Sequence, residues 1–80
     1  MATVIVYTTP TCPYCRQLKD ILIRYGISFI EKDVSNNREN AMELYMKTGQ
    51  LGTPVVDIDG TVIVGFNVSA ILKALGIEEE

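Results

Sequence analysis

Thr3-Val4-Ile5-Val6-Tyr7-Thr8-Thr9-Pro10-Thr11-Cys12-Pro13-Tyr14-Cys15 opens on β-branched residues and ends on two cysteines two residues apart. The span Ala2 to Tyr7 reads as a buried strand. Thr8 to Thr11 form a loop. Pro13 suits the first turn of a helix, where its missing N–H is no loss. The two cysteines therefore stand where a strand hands over to a helix. These are the only cysteines in 80 residues, and there is no histidine. Two thiols at this spacing can close a small disulfide ring. At a helix start the free N–H groups and their partial positive charge favour a thiolate.

Working outward, the first helix runs to about Tyr25 and ends at Gly26, a left-handed cap. Its apolar positions Cys15, Leu18, Ile21, Leu22 and Tyr25 follow helical spacing. Cys15 thus belongs to the core-facing stripe and Cys12 to the exposed tip. Ser28 to Val34 is predicted as a second strand. Asn36 and Glu39 form a capping box for a second helix, with Ala41, Leu44, Tyr45 and Thr48 on one side and Gly49 at its end. Val55 to Ile58 and Thr61 to Val64 alternate as strands about an Asp59-Gly60 hairpin signal. Val68, Ile71, Leu72 and Leu75 make a last amphipathic helix, capped by Asn67 or Ser69 and ended by Gly76.

The order β-α-β-α-β-β-α defines the fold class. It is an α/β domain over residues 1–80, with a four-stranded mixed sheet flanked by helices on both faces. The first two strands are parallel across a right-handed crossover. A C-x-x-C at a strand-to-helix junction in such a fold reads as a thioredoxin-like redox site. A hydrophobic fraction of 48% supports a real core, and a net charge of −3 argues against nucleic acid or an anionic membrane as main partner. No basic segment leads into a long apolar stretch, and no run approaches a membrane span, so a cytoplasmic location is expected. In that reducing compartment a lone C-x-x-C points to catalysis or metal binding rather than to a static staple.

Three landmarks carry a resemblance. They are Thr11-Cys12-Pro13-Tyr14-Cys15, Gly52-Thr53-Pro54-Val55 and Gly65-Phe66-Asn67. With them the chain resembles the glutaredoxins, above all the small glutaredoxin-like proteins of about this length. The resemblance implies thiol–disulfide exchange through a Cys12–Cys15 dithiol, with Cys12 as nucleophile and Cys15 as resolving thiol. It implies a cis Thr53–Pro54 bond that turns the Thr53 backbone toward Cys12, where an extended thiol peptide can pair with it. Tyr14 flanks the substrate groove. Gly65, Phe66 and Asn67 stand where the family holds the γ-glutamyl end of glutathione. Of these, Phe66 also reads as core and Asn67 first as a helix cap. No bound cofactor is implied. Glutathione is the expected co-substrate, and the protein substrates are disulfides, glutathionylated proteins or ribonucleotide reductase.

Two departures bear on the electron source. Many glutaredoxins carry a Lys or Arg a few residues before the first cysteine, to meet a glutathione carboxylate. Thr8, Thr9, Pro10 and Thr11 fill that stretch here. Many also carry acidic or hydroxyl residues after the glycine of the third landmark, where Asn67 and Val68 stand. The Gly-Phe pair also looks like glutaredoxin-like electron donors served by thioredoxin reductase. Thioredoxin reductase is therefore the expected alternative to glutathione.

With no histidine as base, activation of Cys12 falls to the helix N-terminus, backbone N–H groups and nearby Arg16 or Lys19. Arg38 and Lys47 read as solvated, Met42 and Met46 as a packing pair, and the Glu78-Glu79-Glu80 tail as frayed. A copper or iron–sulfur carrier is the alternative within thiolate chemistry. One chain, however, offers two sulfurs and no metal site of its own is expected. A binding module with an idle disulfide is a third reading. A monomer is the default.

Overall fold

The computed structural model describes residues 3–77. Ala2 and the Glu78-Glu79-Glu80 tail lie outside the described residues. Along the chain run β1 (Val4–Thr8), α1 (Pro13–Arg24), β2 (Ile30–Asp33), α2 (Arg38–Thr48), β3 (Val55–Ile58), β4 (Thr61–Val64) and α3 (Val68–Ala74). One sheet has the order β2-β1-β3-β4, with β1 parallel to β2 and antiparallel to β3, and β4 antiparallel to β3. This is the predicted mixed sheet. Thr8 joins β1, against the loop expected there, because it stands opposite Asp33 at the end of the β1–β2 ladder. The second strand is shorter than Ser28 to Val34, since pairing with β1 begins only at Ile5↔Ile30.

Alternation along the strands divides the core in two. Val4, Val6, Val56 and Ile58 point to the face covered by Leu18 and Leu22 of α1 and Ile71 of α3. Tyr7 and Val55 point to the opposite face, where Leu44 of α2 covers them. Helices therefore occupy both faces, and the two central strands are almost wholly buried. Asp59 and Gly60 both take positive φ, 50° and 94°, as a tight two-residue hairpin turn requires.

The ends of α1 and α3 close in the same way. Beyond the cap Tyr25, Gly26 N–H donates to the Ile23 carbonyl and Ile27 N–H to the Leu22 carbonyl. Gly76 and Ile77 do the same for Lys73 and Leu72. This six-to-one closure needs the left-handed glycine that the sequence places there. It also corrects Tyr25, which sits past the last helical turn and stays 45% exposed, while Ile27 packs on the core in its place.

The largest departures are in α2. Asn37, not Asn36, caps it, its side-chain oxygen accepting from Asn40 N–H at 3.1 Å. The residues before it are spent in a local turn, where Asp33 accepts from both the backbone N–H and the hydroxyl of Ser35. The inward stripe is Asn40, Glu43, Leu44 and Lys47 rather than Ala41, Leu44, Tyr45 and Thr48. Tyr45 is 55% exposed. Lys47 is not a freely solvated lysine. Its Nζ donates to Asp57 Oδ2 and to the Tyr7 hydroxyl, each at 2.6 Å, and lies 5.0 Å from the Tyr7 ring centre. Tyr7 donates in turn to Glu43, which also holds Lys32. Only Leu44 is fully buried on this helix, so polar contacts dock much of α2. Met42 and Met46 do not pack: they stand 65% and 81% exposed on its outer side.

Candidate active site

Cys12 is the N-cap of α1, in extended conformation. Its Sγ accepts from Cys15 N–H at 3.2 Å, and its carbonyl accepts from Arg16 N–H. Cap positions usually hold a hydroxyl or carboxylate oxygen; here a sulfur does that work. No acidic side chain stands in the first turn, so a Cys12 thiolate would be the anion at this helix end. Pro13 follows at the position that has no N–H to satisfy. Cys12 is half-buried and Cys15 only 1% exposed; both are free thiols.

The two thiols have opposite electrostatics. Burial resists charge on Cys12, but hydrogen bonds from the Cys15 thiol and backbone, the Thr53 hydroxyl and the Tyr14 backbone outweigh it and pull Cys12 below an ordinary cysteine. Burial pushes Cys15 up, and the neighbouring Cys12 sulfur pushes it further; the Thr9 backbone and the Thr53 hydroxyl only partly offset this. At neutral pH the outer sulfur is therefore the readier thiolate and the inner one stays protonated. The two cations expected to help are not among the largest of these causes. Lys19 is engaged by Glu31, 2.6 Å away. Arg16 lines a groove beside Cys12.

The loops complete the site. The Thr53–Pro54 bond is cis, as the resemblance implied, and Pro54 is buried. The Pro54 carbonyl accepts from Gly65 N–H at 2.9 Å, which ties the loop after β4 to the loop before β3. Gly65 takes a φ of +89°, open to glycine and strained for other residues, and lets the chain turn into α3. Asn67 caps α3, its side chain accepting from Ala70 N–H at 3.1 Å, so the capping role holds. Phe66 is both core and site: it packs against the α1/α3 cluster and stacks on Tyr14 at 5.4 Å between ring centres. Tyr14 remains 55% exposed. Tyr14 and Phe66 thus bring the first and third landmarks together, and Thr53 brings the second to both sulfurs.

Sequence reasoning placed Thr53 here through its backbone and missed its hydroxyl as the group acting on both thiols. It also missed Thr9, whose backbone touches the inner thiol. A small polar residue on each flanking loop was the only signal for either. Among the described residues no group of three or more His, Cys, Asp or Glu converges as a metal set. None of the described helices is long and apolar enough to cross a membrane.

A four-stranded mixed sheet with a capped C-x-x-C facing a cis-proline loop is the architecture of a thioredoxin-fold redox protein. The sequence model of the glutaredoxin family matches residues 4–63, and the chain belongs to that family. It is 39% identical over 70 residues to an uncharacterized glutaredoxin-like 8.6 kDa protein from a rubredoxin operon of Clostridium pasteurianum, covering 88% of this chain and 93% of that one. It is 36% identical over 76 residues to glutaredoxin 3 of Escherichia coli K12, covering 95% and 92%. Among solved structures, a T8A mutant of the thioredoxin-like protein BC3987 superposes with a TM-score of 0.90 at 32% identity, over 98% of this chain and 100% of that one. Family and fold together support thiol–disulfide oxidoreductase activity in general terms.

Proposed function

We propose that the chain reduces protein disulfides or glutathione mixed disulfides by cycling Cys12 and Cys15 between dithiol and disulfide. The observation that carries this reading is the split between the sulfurs: Cys12 is lowered and half-exposed, and Cys15 is raised and buried. Cys12 thiolate attacks one sulfur of the substrate. The substrate S–S bond breaks, a Cys12 mixed disulfide forms, and the other half leaves as a thiolate that takes up a proton. Cys12 then no longer carries negative charge, so one of the causes that raise Cys15 is removed. Cys15 ionises more readily, helped by the Thr53 hydroxyl and the Thr9 backbone, and attacks Cys12 Sγ. Reduced substrate leaves and the internal disulfide remains. Both sulfurs and every flanking residue belong to one chain, so a monomer suffices.

Glutathione is the proposed co-substrate that restores the dithiol, held between Tyr14, Thr53, Pro54 and the Gly65-Phe66-Asn67 turn. The exposed Tyr14 ring on Phe66 and the Gly65–Pro54 hydrogen bond, which set the two loops side by side, support this groove. A second reading makes thioredoxin reductase the electron source. The absence of a cation between Thr8 and Thr11 and the likeness to a protein described as thioredoxin-like favour it. A cytoplasmic location is part of the proposal on either reading.

An NADPH-coupled disulfide reduction with two reductant systems in parallel tests both. One contains glutathione and glutathione reductase, the other thioredoxin reductase. Turnover with the first is the expected result. Turnover with the second alone would assign the Gly65-Phe66-Asn67 turn to structure and reject glutathione. Turnover with neither would reject the oxidoreductase reading.

A further inference from the structure

Tyr7, Lys32, Glu43, Lys47 and Asp57 form a cluster of titratable side chains that the exchange chemistry does not use. It lies on the face of the sheet covered by α2, whereas α1, which carries Cys15, covers the other face. Its members come from β1 (Tyr7), β2 (Lys32), α2 (Glu43 and Lys47) and β3 (Asp57). The charges of the two lysines and the two carboxylates cancel, and burial raises Tyr7 so that its hydroxyl stays neutral. The cluster therefore has no net charge with which to act on a thiol from the opposite face.

Position is what it can set. Lys47 Nζ lies 2.6 Å from both Asp57 Oδ2 and the Tyr7 hydroxyl, so one ammonium joins β3 to β1. These are the two strands whose ends carry the site. Tyr7 stands opposite Val55 in the β1–β3 ladder. Two residues beyond Tyr7, the Thr9 carbonyl accepts from Cys12 N–H at 3.2 Å. Two residues before Val55 stands Thr53, whose hydroxyl bonds both sulfurs. Lys47 also belongs to the last turn of α2, from which the chain runs into the Thr53 loop. That turn is braced. Gly49 N–H donates to the Tyr45 carbonyl at 2.7 Å. The Thr48 hydroxyl accepts from Gln50 N–H at 3.2 Å and lies 2.7 Å from the Gln50 carbonyl. Only Leu44 is fully buried on α2, so Lys47 is the main anchor of this turn to the sheet.

We infer that Lys47 is a positioning residue of the exchange site: it clamps β1, β3 and the last turn of α2 together and so holds the Thr53 hydroxyl against the thiols. Thr48 continues the clamp into the loop. The inference rests on the oxidoreductase reading above for the role of Cys12, and adds to it a residue on the opposite face of the sheet. A Cys12 thiolate that loses the Thr53 hydroxyl loses a hydrogen-bond donor. Loosening the clamp therefore makes the thiolate harder to form, with no change to any group that touches the sulfur.

The test is alkylation of Cys12 by iodoacetamide from mildly acidic to mildly alkaline pH, on the full-length reduced protein, read by intact mass and peptide mapping. Wild type, Lys47→Met, Thr53→Val and the double variant are compared well below their melting temperatures, with circular dichroism showing that each is folded. On the acidic limb of the profile, Thr53→Val is expected to slow alkylation about two- to tenfold, the range of one hydrogen bond. Lys47→Met is expected to slow it about two- to threefold, a part of that same bond. Added to Thr53→Val, Lys47→Met is expected to slow it no further, because the hydroxyl it positions is gone. A lysine with a structural role alone would lower Tm and leave the profile of the folded protein in place; that result overturns the inference. Equal slowing with and without the Thr53 hydroxyl also overturns it, since Lys47 would then act by another route. Where Lys47→Met does not stay folded, Thr48→Val carries the same comparison. Slowing that depends on Thr53 supports the clamp, and an unchanged profile overturns it. Alkylation needs no disulfide substrate. A wild type that reduces no disulfide would therefore sink the oxidoreductase reading, while the profiles still decide the clamp.

Discussion

Replacing Lys47 by methionine is expected to destabilise the fold well beyond what a surface lysine would cost. Lys47 Nζ is 2.6 Å from Asp57 Oδ2, and Asp57 is only 7% exposed in the centre of the sheet. The other Asp57 oxygen keeps its bond from Gly60 N–H at 2.8 Å, but Oδ2 would lose Lys47. Removing one partner of a fully buried pair costs roughly 3–5 kcal/mol. The two side chains here are 26% and 10% exposed, so solvent screening brings the expected loss to about 2 kcal/mol. In a domain of this size that lowers Tm by about 8–16 °C. The measurement is urea and thermal unfolding by circular dichroism with both thiols kept reduced. The reasoning also fixes the pH dependence. Burial pushes the Asp57 carboxyl up, but Lys47 and Gly60 N–H outweigh it and hold it below an ordinary aspartate. Its contribution is therefore present above the unfolded value of about 3.9 and is lost as pH falls through the lower folded value. Lys47→Met should flatten that acid limb. In an Lys47→Met/Asp57→Asn cycle the second change should cost much less than it does alone. A loss under about 0.5 kcal/mol, the size of an ordinary surface change, would refute this account of α2 docking.

Other outcomes concern the thiols and the loops. Cys12→Ser should abolish disulfide reduction, whereas Cys15→Ser should accumulate a mixed disulfide on Cys12, visible as added mass on the intact protein. Limited alkylation at mildly acidic to neutral pH should modify Cys12 before Cys15, because one thiol is held below and the other above an ordinary cysteine; peptide mapping reads the order. Thr53→Val removes a hydroxyl that favours both thiolates, so the pH–rate profile for alkylation of Cys12 should move to higher pH with the fold intact. Gly60→Ala places a side chain at a φ of +94° in the β3–β4 hairpin and should cost about 1 kcal/mol or more in urea unfolding.

Local signals accounted for most of the architecture. Apolar runs, three well-placed glycines and the Asp59-Gly60 pair announced seven elements in the right order, because each depends on a few neighbouring residues. Pro13 after Cys12 announced the helix start, and the order of elements announced helices on both faces of the sheet. The reading failed at α2, where its inward stripe is half polar. The periodicity of Leu44 and Tyr45 suggested an apolar face, while the residues meeting the sheet include Glu43 and Lys47. A clue was present in Asp57, a lone charge within Val55-Val56-Asp57-Ile58 that must find a partner if that strand is central.

The sequence by itself determined the chemistry on offer: two thiols at helix spacing, no histidine, and a proline that leaves the helix N-terminus free to be capped by sulfur. Those facts are local, set by covalent order and by the geometry of one helical turn. Helical spacing already set Cys15 inward and Cys12 outward; only the tertiary structure decided which distant groups tune the two sulfurs. Burial in the core raises Cys15, and the Thr53 hydroxyl, 41 residues from Cys12 in sequence, reaches both. It also decided which cations are committed. Lys19 and Lys47 are drawn into ion pairs by strands that fold back onto their helices, and Arg16 is left beside the nucleophile. Desolvation and pairing energies depend on what packs around a charge, and the order of residues along the chain does not state that.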